Sequence, residues 1–165
     1  MAHLTPFLMF PQQAEEAVEF YLSLFPGKIL QTTSYTAQDM ELLSFLPPEQ
    51  RPGTAGQVKT IQLELMGQEY LIGNGGGHFK LAESAGFMVF CQDQAELDHY
   101  WQALVQGGEA SQCGWVKDRF GLWWQVLPSQ LGKWTQNPQQ GGRVMAALLQ
   151  MQKIEIAALE LAAQG

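Results

Sequence analysis

Hydrophobic positions along this chain pass twice from a spacing of two to a spacing of three or four, and each passage marks a strand followed by a helix. Residues 4–10, LTPFLMF, read as a strand broken by Pro11. Residues 12–25 then place Ala14, Val18, Tyr21, Leu22 and Phe25 on one helical stripe, with Glu15, Glu16 and Glu19 turned to water near the end where the helix dipole favours acids. Pro26-Gly27 stops the helix, and residues 28–36 predict a threonine-rich strand. Residues 37–56 carry Pro47, Pro48, Pro52, Gly53 and Gly56 with no sustained period, so an irregular, mobile binding loop or lid is expected. Residues 58–66 alternate, and 69–73 return as the second arm of a hairpin leading into Asn74-Gly75-Gly76-Gly77-His78.

The second half repeats the first. Residues 86–92 predict a strand and 94–106 a helix, with Gly107-Gly108 at its C-terminus. A shift of 80 positions lays FLMFPQQAEEAVEFYLSLFPG over FMVFCQDQAELDHYWQALVQG without a gap, putting Phe7 on Phe87, Phe10 on Phe90 and Gly27 on Gly107. Strands then fill 109–127, where Asp118-Arg119-Phe120-Gly121 reads as a tight turn and 122–127 as its outgoing strand. On that strand Trp124 and Val126 share one face, while Trp123, Gln125 and Leu127 share the other. A glutamine in such company either closes a hydrogen-bond network or lines a cavity. Helices are expected over 129–136, from Asn137-Pro138 onward and over 155–163.

This alternation predicts an α+β fold: two βαβββ modules, about 1–78 and 85–128, forming a curved mixed sheet with a concave cup, followed by a helical extension over 129–165. At 165 residues the chain is long enough to bury a core without staples, and its 2 cysteines, Cys91 and Cys113, read as free thiols. A net charge of -7 argues against nucleic acid or an anionic membrane as partner. The opening MAHLTPFLMF has neither a basic start nor a sustained apolar run, which points to the cytoplasm.

The stretches TPFLMF..QAEEAVEFY.SLFPG, GGGHFK, CGWVKDRFG..WQVLP and MQKIEIAALE resemble the PhnB-like family of the glyoxalase, bleomycin-resistance and extradiol-dioxygenase superfamily, also called vicinal oxygen chelate. The resemblance implies paired βαβββ modules, a cup-shaped pocket and a homodimer. It also implies metal-ligand positions near Thr5 or Pro6, at Glu64, near Ala85 or Gly86, and at Gln125. Only Glu64 is a strong ligand, whereas catalytic sites supply about three, so no metal and no other cofactor is expected. Members of this family are sometimes labelled demethylubiquinone methyltransferase. The methyl-donor site such an activity uses sits on a glycine-rich turn between a strand and a helix, and residues 74–77 lead into neither.

The function expected from these residues is binding of a small organic molecule by Glu64, Gln125, Trp123, Asn74 and His78, in a cytoplasmic homodimer. Glu64 is the candidate general base, with a satisfied carboxylate as its plainer reading, and catalysis is left open. Two other classes compete: a metal-dependent lyase, isomerase or dioxygenase acting on vicinal oxygens, and an interaction protein working through the C-terminal helices.

Overall fold

The computed structural model describes residues 2–165 and divides into two compact units, one ending at Leu81 and the other spanning Ala82–Gly165. Each is a βαβββ module. The first contains β1 (Phe7–Phe10), α1 (Ala14–Leu24), β2 (Gly27–Ser34), β3 (Val58–Leu65) and β4 (Gln68–Asn74), in a sheet of order β1-β4-β3-β2. β1 runs parallel to β4, and the remaining pairs are antiparallel. β3 is buried at Ile61, Leu63 and Leu65 and half-buried at the positions between, so one face of the sheet packs on α1 and the other stays open. Phe10, Ala14, Ala17, Val18, Tyr21 and Ile72 close that core almost completely.

The expected irregular stretch over 37–56 is more ordered than its composition suggests. It holds a short helix, α2 (Ala37–Leu42), and one 3-10 turn at Pro48–Gln50. Thr36 and Asp39 form a reciprocal cap at the start of α2: each side chain accepts the other residue's backbone N–H. That motif was readable as T-x-x-D, and the prolines and glycines around it hid it. The excursion is closed at its base, where the Tyr35 N–H donates to the Gln57 carbonyl and the Gly56 N–H to the Tyr35 carbonyl, both at 2.8 Å.

The second unit contains β5 (Gly86–Cys91), α3 (Gln94–Val105), β6 (Glu109–Ala110), β7 (Trp115–Lys117) and β8 (Trp123–Pro128), in the equivalent order β5-β8-β7-β6. The helical extension follows as α4 (Leu131–Gln136), α5 (Gly141–Leu148) and α6 (Ile156–Gln164). Asn137-Pro138 does not open α5, which starts three residues later. The Gln140 and Gly141 N–H groups donate instead to the Asn137 carbonyl, making a turn. Arg143 anchors the tail by donating to the carbonyls of Ala162 and Ala163 at 2.9 and 3.1 Å. No helix is long and apolar enough to cross a membrane among the described residues.

The gap-free shift of 80 holds for the helices and slips by one in the strands. Tyr21 and Trp101 are both buried on the helix faces, but Phe10 is fully buried while Phe90 is 54% exposed. The structural counterpart of Phe10 is Cys91: both are wholly buried, and each carbonyl accepts a 2.8 Å bond from the residue that follows β4 or β8, Gly75 and Ser129 respectively. Three residues separate β1 from α1 and two separate β5 from α3. One residue of slip turns each strand side chain to the opposite face.

Candidate functional site

A cavity of about 510 Å³ lies entirely within the first unit, on the open face of its sheet. Phe7 and Met9 from β1, Thr60 from β3 and Gly73 from β4 line it from the sheet. Leu43, Phe45, Leu46 and Pro52 close it from the 37–56 excursion, and Gly75, His78 and Phe79 from the loop after β4. Such a volume fits a small organic ligand, and apolar walls with few polar groups are what such ligands bind.

The glycine run serves the closure of this cavity. Gly76 has φ +90, and a Cβ there would overlap the Gln50 carbonyl oxygen; at Gly77 it would lie 2.8 Å from the Glu49 carbonyl oxygen. Two backbones thus meet where any side chain would hold them apart. Arg51 braces the same segment by donating to the Leu46 and Ser44 carbonyls, and Gln12 donates to the Arg51 carbonyl at 2.8 Å.

Polar groups on the wall are mostly committed. The Tyr35 hydroxyl donates to the Asn74 carbonyl, and burial pushes its pKa up. The Thr60 and Thr33 hydroxyls bond each other at 2.7 Å. The Asn74 amide accepts from the Ala14 N–H at 2.9 Å and donates to Glu15 Oε2 at 2.8 Å and the Val58 carbonyl at 2.9 Å. It therefore ties the cavity wall to the start of α1. His78 is exposed at the rim, its ring 4.1 Å from that of Phe79.

Lys59 is the charged member of the wall, and the backbone explains its presence. Ser34 pairs with Val58 and Thr33 with Thr60, leaving Lys59 as the extra residue of a β-bulge. Its ammonium donates to Asp39 Oδ1 at 2.9 Å and sits 5.5 Å from the centroid of the Tyr35 ring. Bonds from the Thr36 N–H, then from Lys59 and the Thr36 hydroxyl, hold the Asp39 carboxyl down at about 2, below its ordinary 3.8. A depressed carboxyl pKa adds stability at pH values above 3.8 and loses it as pH falls toward about 2. The hold on α2 is accordingly expected to be constant through neutral pH and to loosen only in that acid window. A carboxyl-carbon NMR titration checks it. Asp39 should titrate near 2, and in Lys59→Met it should move up while staying below 3.8, because the Thr36 N–H remains.

The other residues singled out from sequence lie elsewhere. Glu64 is half-buried on β3, in a cross-strand row with Lys28 on β2 and Glu69 on β4, and it does not line the cavity. Gln125 and Trp123 belong to the second unit. The Gln125 amide donates to the Cys113 carbonyl at 2.8 Å, and the Trp123 ring packs edge-on to Trp115 at 6.5 Å. Cys91 is buried and its thiol is pushed up to about 12 by that burial, too high for a nucleophile at neutral pH.

The donor set does not fit the divalent ion that the superfamily implies. Among the described residues no group of three or more His, Cys, Asp or Glu side chains is placed to hold a metal. Glu64 faces a lysine and a second carboxylate across the strands, and the Gln125 amide is already bound to backbone. Sequence reading missed Lys59, Tyr35 and the wall formed by 43–52. The bulge that places Lys59 is invisible in residue order, while the Thr36 to Asp39 cap was the available signal.

Comparison with known proteins gives consistent results. A family model described as 3-demethylubiquinone-9 3-methyltransferase matches residues 2–127. The PhnB protein from Bacillus cereus is 28% identical, with a TM-score of 0.62, over 76% of this chain and 99% of that one. A Pseudomonas aeruginosa protein shares the fold at 16% identity and a TM-score of 0.59, over 78% of this chain and 98% of its own. No curated protein matches.

Proposed function

The chain belongs to the family described as 3-demethylubiquinone-9 3-methyltransferase, the PhnB-like branch of the vicinal oxygen chelate superfamily, and from that premise we propose that it binds a small, largely apolar organic molecule in the cavity of its first unit. One observation carries the reading: a space of about 510 Å³ is walled by Phe7, Met9, Leu43, Phe45, Leu46 and Phe79. The loop from Asn74 to His78 belongs to this site. Glu64, Gln125 and Trp123 receive no contact in it. We propose a homodimer, supported by β2, an edge strand exposed along all 8 residues, and the cytoplasm as its setting.

Methyl transfer finds little support in the site, despite the family's description. Residues 75–85 connect β4 to β5 with no helix between, and Gly76 and Gly77 are used to seat one backbone on another.

The test uses phenylnaphthylamine, an uncharged probe that fluoresces when sheltered from water. Wild type should take it up saturably. Leu43→Trp, which adds bulk at a half-buried wall position, should weaken uptake by about tenfold or more, the penalty of about 1.4 kcal/mol expected for a partly filled site. Phe90→Ser, on the exposed face of the second unit, should leave it unchanged. No uptake by wild type, or uptake indifferent to Leu43→Trp, would refute the proposal.

A further inference from the structure

We propose that the ligand of this cavity is an amphipathic anion, an apolar body carrying one negatively charged group that docks on Lys59 in competition with Asp39. This deepens the binding reading above and rests on it. Three observations meet at Lys59. First, among the described residues the lining contains a single Lys or Arg and no Asp or Glu, in a protein whose net charge is -7. A cavity in so acidic a chain that shows its ligand one cation and no carboxylate selects for negative charge. Second, the cation is delivered by a β-bulge, a local irregularity that re-aims a side chain at the expense of regular pairing.

Third, Asp39, outside the lining, is the one carboxylate bonded to Lys59 among the described residues, and the polar groups of the lining itself are largely engaged with protein. The Tyr35 hydroxyl donates to the Asn74 carbonyl, the Thr60 and Thr33 hydroxyls bond each other, the Asn74 amide is bonded at both its oxygen and its nitrogen, and His78 stands exposed at the rim. Lys59 donates one hydrogen bond to Asp39, and an ammonium has three to give. Its side chain is 42% exposed and that of Asp39 25%, so the ion pair is wet and can be exchanged for a ligand oxygen without stranding a charge in apolar surroundings. Asp39 also caps α2, and the excursion that begins with α2 supplies Leu43, Phe45, Leu46 and Pro52 to the wall. An anion that draws Lys59 from Asp39 therefore acts on the segment that closes over its own apolar body. Binding the head group and seating the body are coupled through one carboxylate.

A matched pair of probes tests the charge separately from the cavity. Anilinonaphthalene sulfonate carries the same ring system as phenylnaphthylamine plus one sulfonate. Wild type should bind the sulfonate about tenfold more tightly than the neutral probe at low salt, and the preference should shrink in high salt. Lys59→Gln should weaken sulfonate binding more than neutral-probe binding and so erase the ratio between them, and Lys59→Arg should retain it. Asp39→Asn keeps a capping oxygen but removes the competing charge, so it should strengthen sulfonate binding. If wild type binds both probes alike, or if the preference survives Lys59→Gln, the anion proposal is overturned and the apolar cavity stands. If neither probe binds, the cavity reading fails and takes this one with it.

Discussion

Asp118→Ala is expected to lower the unfolding free energy of the second unit by roughly 3–5 kcal/mol, the range reached when a buried charged acceptor with several partners is removed. Asp118 is 2% exposed, and its carboxylate serves three donors in the turn it begins. Oδ1 accepts from the Phe120 and Leu122 N–H groups at 2.9 and 3.0 Å, and Oδ2 accepts from the Trp124 indole N–H at 2.8 Å. Truncation leaves the N–H groups of three buried residues without that acceptor. Hydrogen bonds to a charged group are worth about 1.5–3 kcal/mol each but do not add in full when they share one carboxylate. Asp118→Asn keeps one acceptor oxygen and is expected to fall between wild type and alanine. Denaturant unfolding followed by tryptophan fluorescence measures both, since Trp124 reports from the site itself. A cost under about 1 kcal/mol for the alanine variant would mean that the turn holds by backbone alone.

The turn was legible because its chemistry is local. Asp118 through Gly121 announces itself in order, Gly121 takes φ +87 as a tight turn allows, and the alternation after it correctly sorted Trp124 and Val126 from Trp123 and Gln125. The doubled βαβββ plan was legible for the same reason, since two amphipathic helices and their strands repeat their own periods. Three features were not. The slip that pairs Phe10 with Cys91 depends on linkers of three and two residues, and a gap-free alignment that honours the helices must misplace the strands. The order in 37–56 depends on contacts brought from far along the chain, such as Gln50 and Glu49 against Gly76 and Gly77. The bulge at Lys59 is a property of the pairing between β2 and β3, so residue order alone ranks Lys59 no higher than any other surface lysine. Sequence therefore found the loop that borders the cavity and missed the charge within it.

Asn74 shows how a residue can sit on a ligand site and work for the fold. Its position in the loop suggested a ligand contact, yet every polar atom of its side chain has a protein partner, and the residue is 5% exposed. Asn74→Ala is expected to cost the first unit about 3 kcal/mol, because it strands the Ala14 N–H at the first turn of α1 and the Val58 carbonyl, and removes a donor from Glu15. Asn74→Asp keeps an acceptor for Ala14 and gains from the helix dipole, but it can no longer donate and places a second carboxylate against Glu15. The aspartate should be no more stable than the alanine at neutral pH and should recover in acid, where either carboxyl can be protonated. The decisive comparison sets stability beside probe binding. Measured well below its unfolding temperature, Asn74→Ala should bind phenylnaphthylamine nearly as wild type does, because the Tyr35 hydroxyl reaches the backbone carbonyl of residue 74 and not its side chain. A variant of wild-type stability that had lost the probe would reverse the assignment and make the Asn74 amide a ligand contact. The expected pattern, lost stability with binding retained, instead leaves the cavity to its apolar walls and to Lys59.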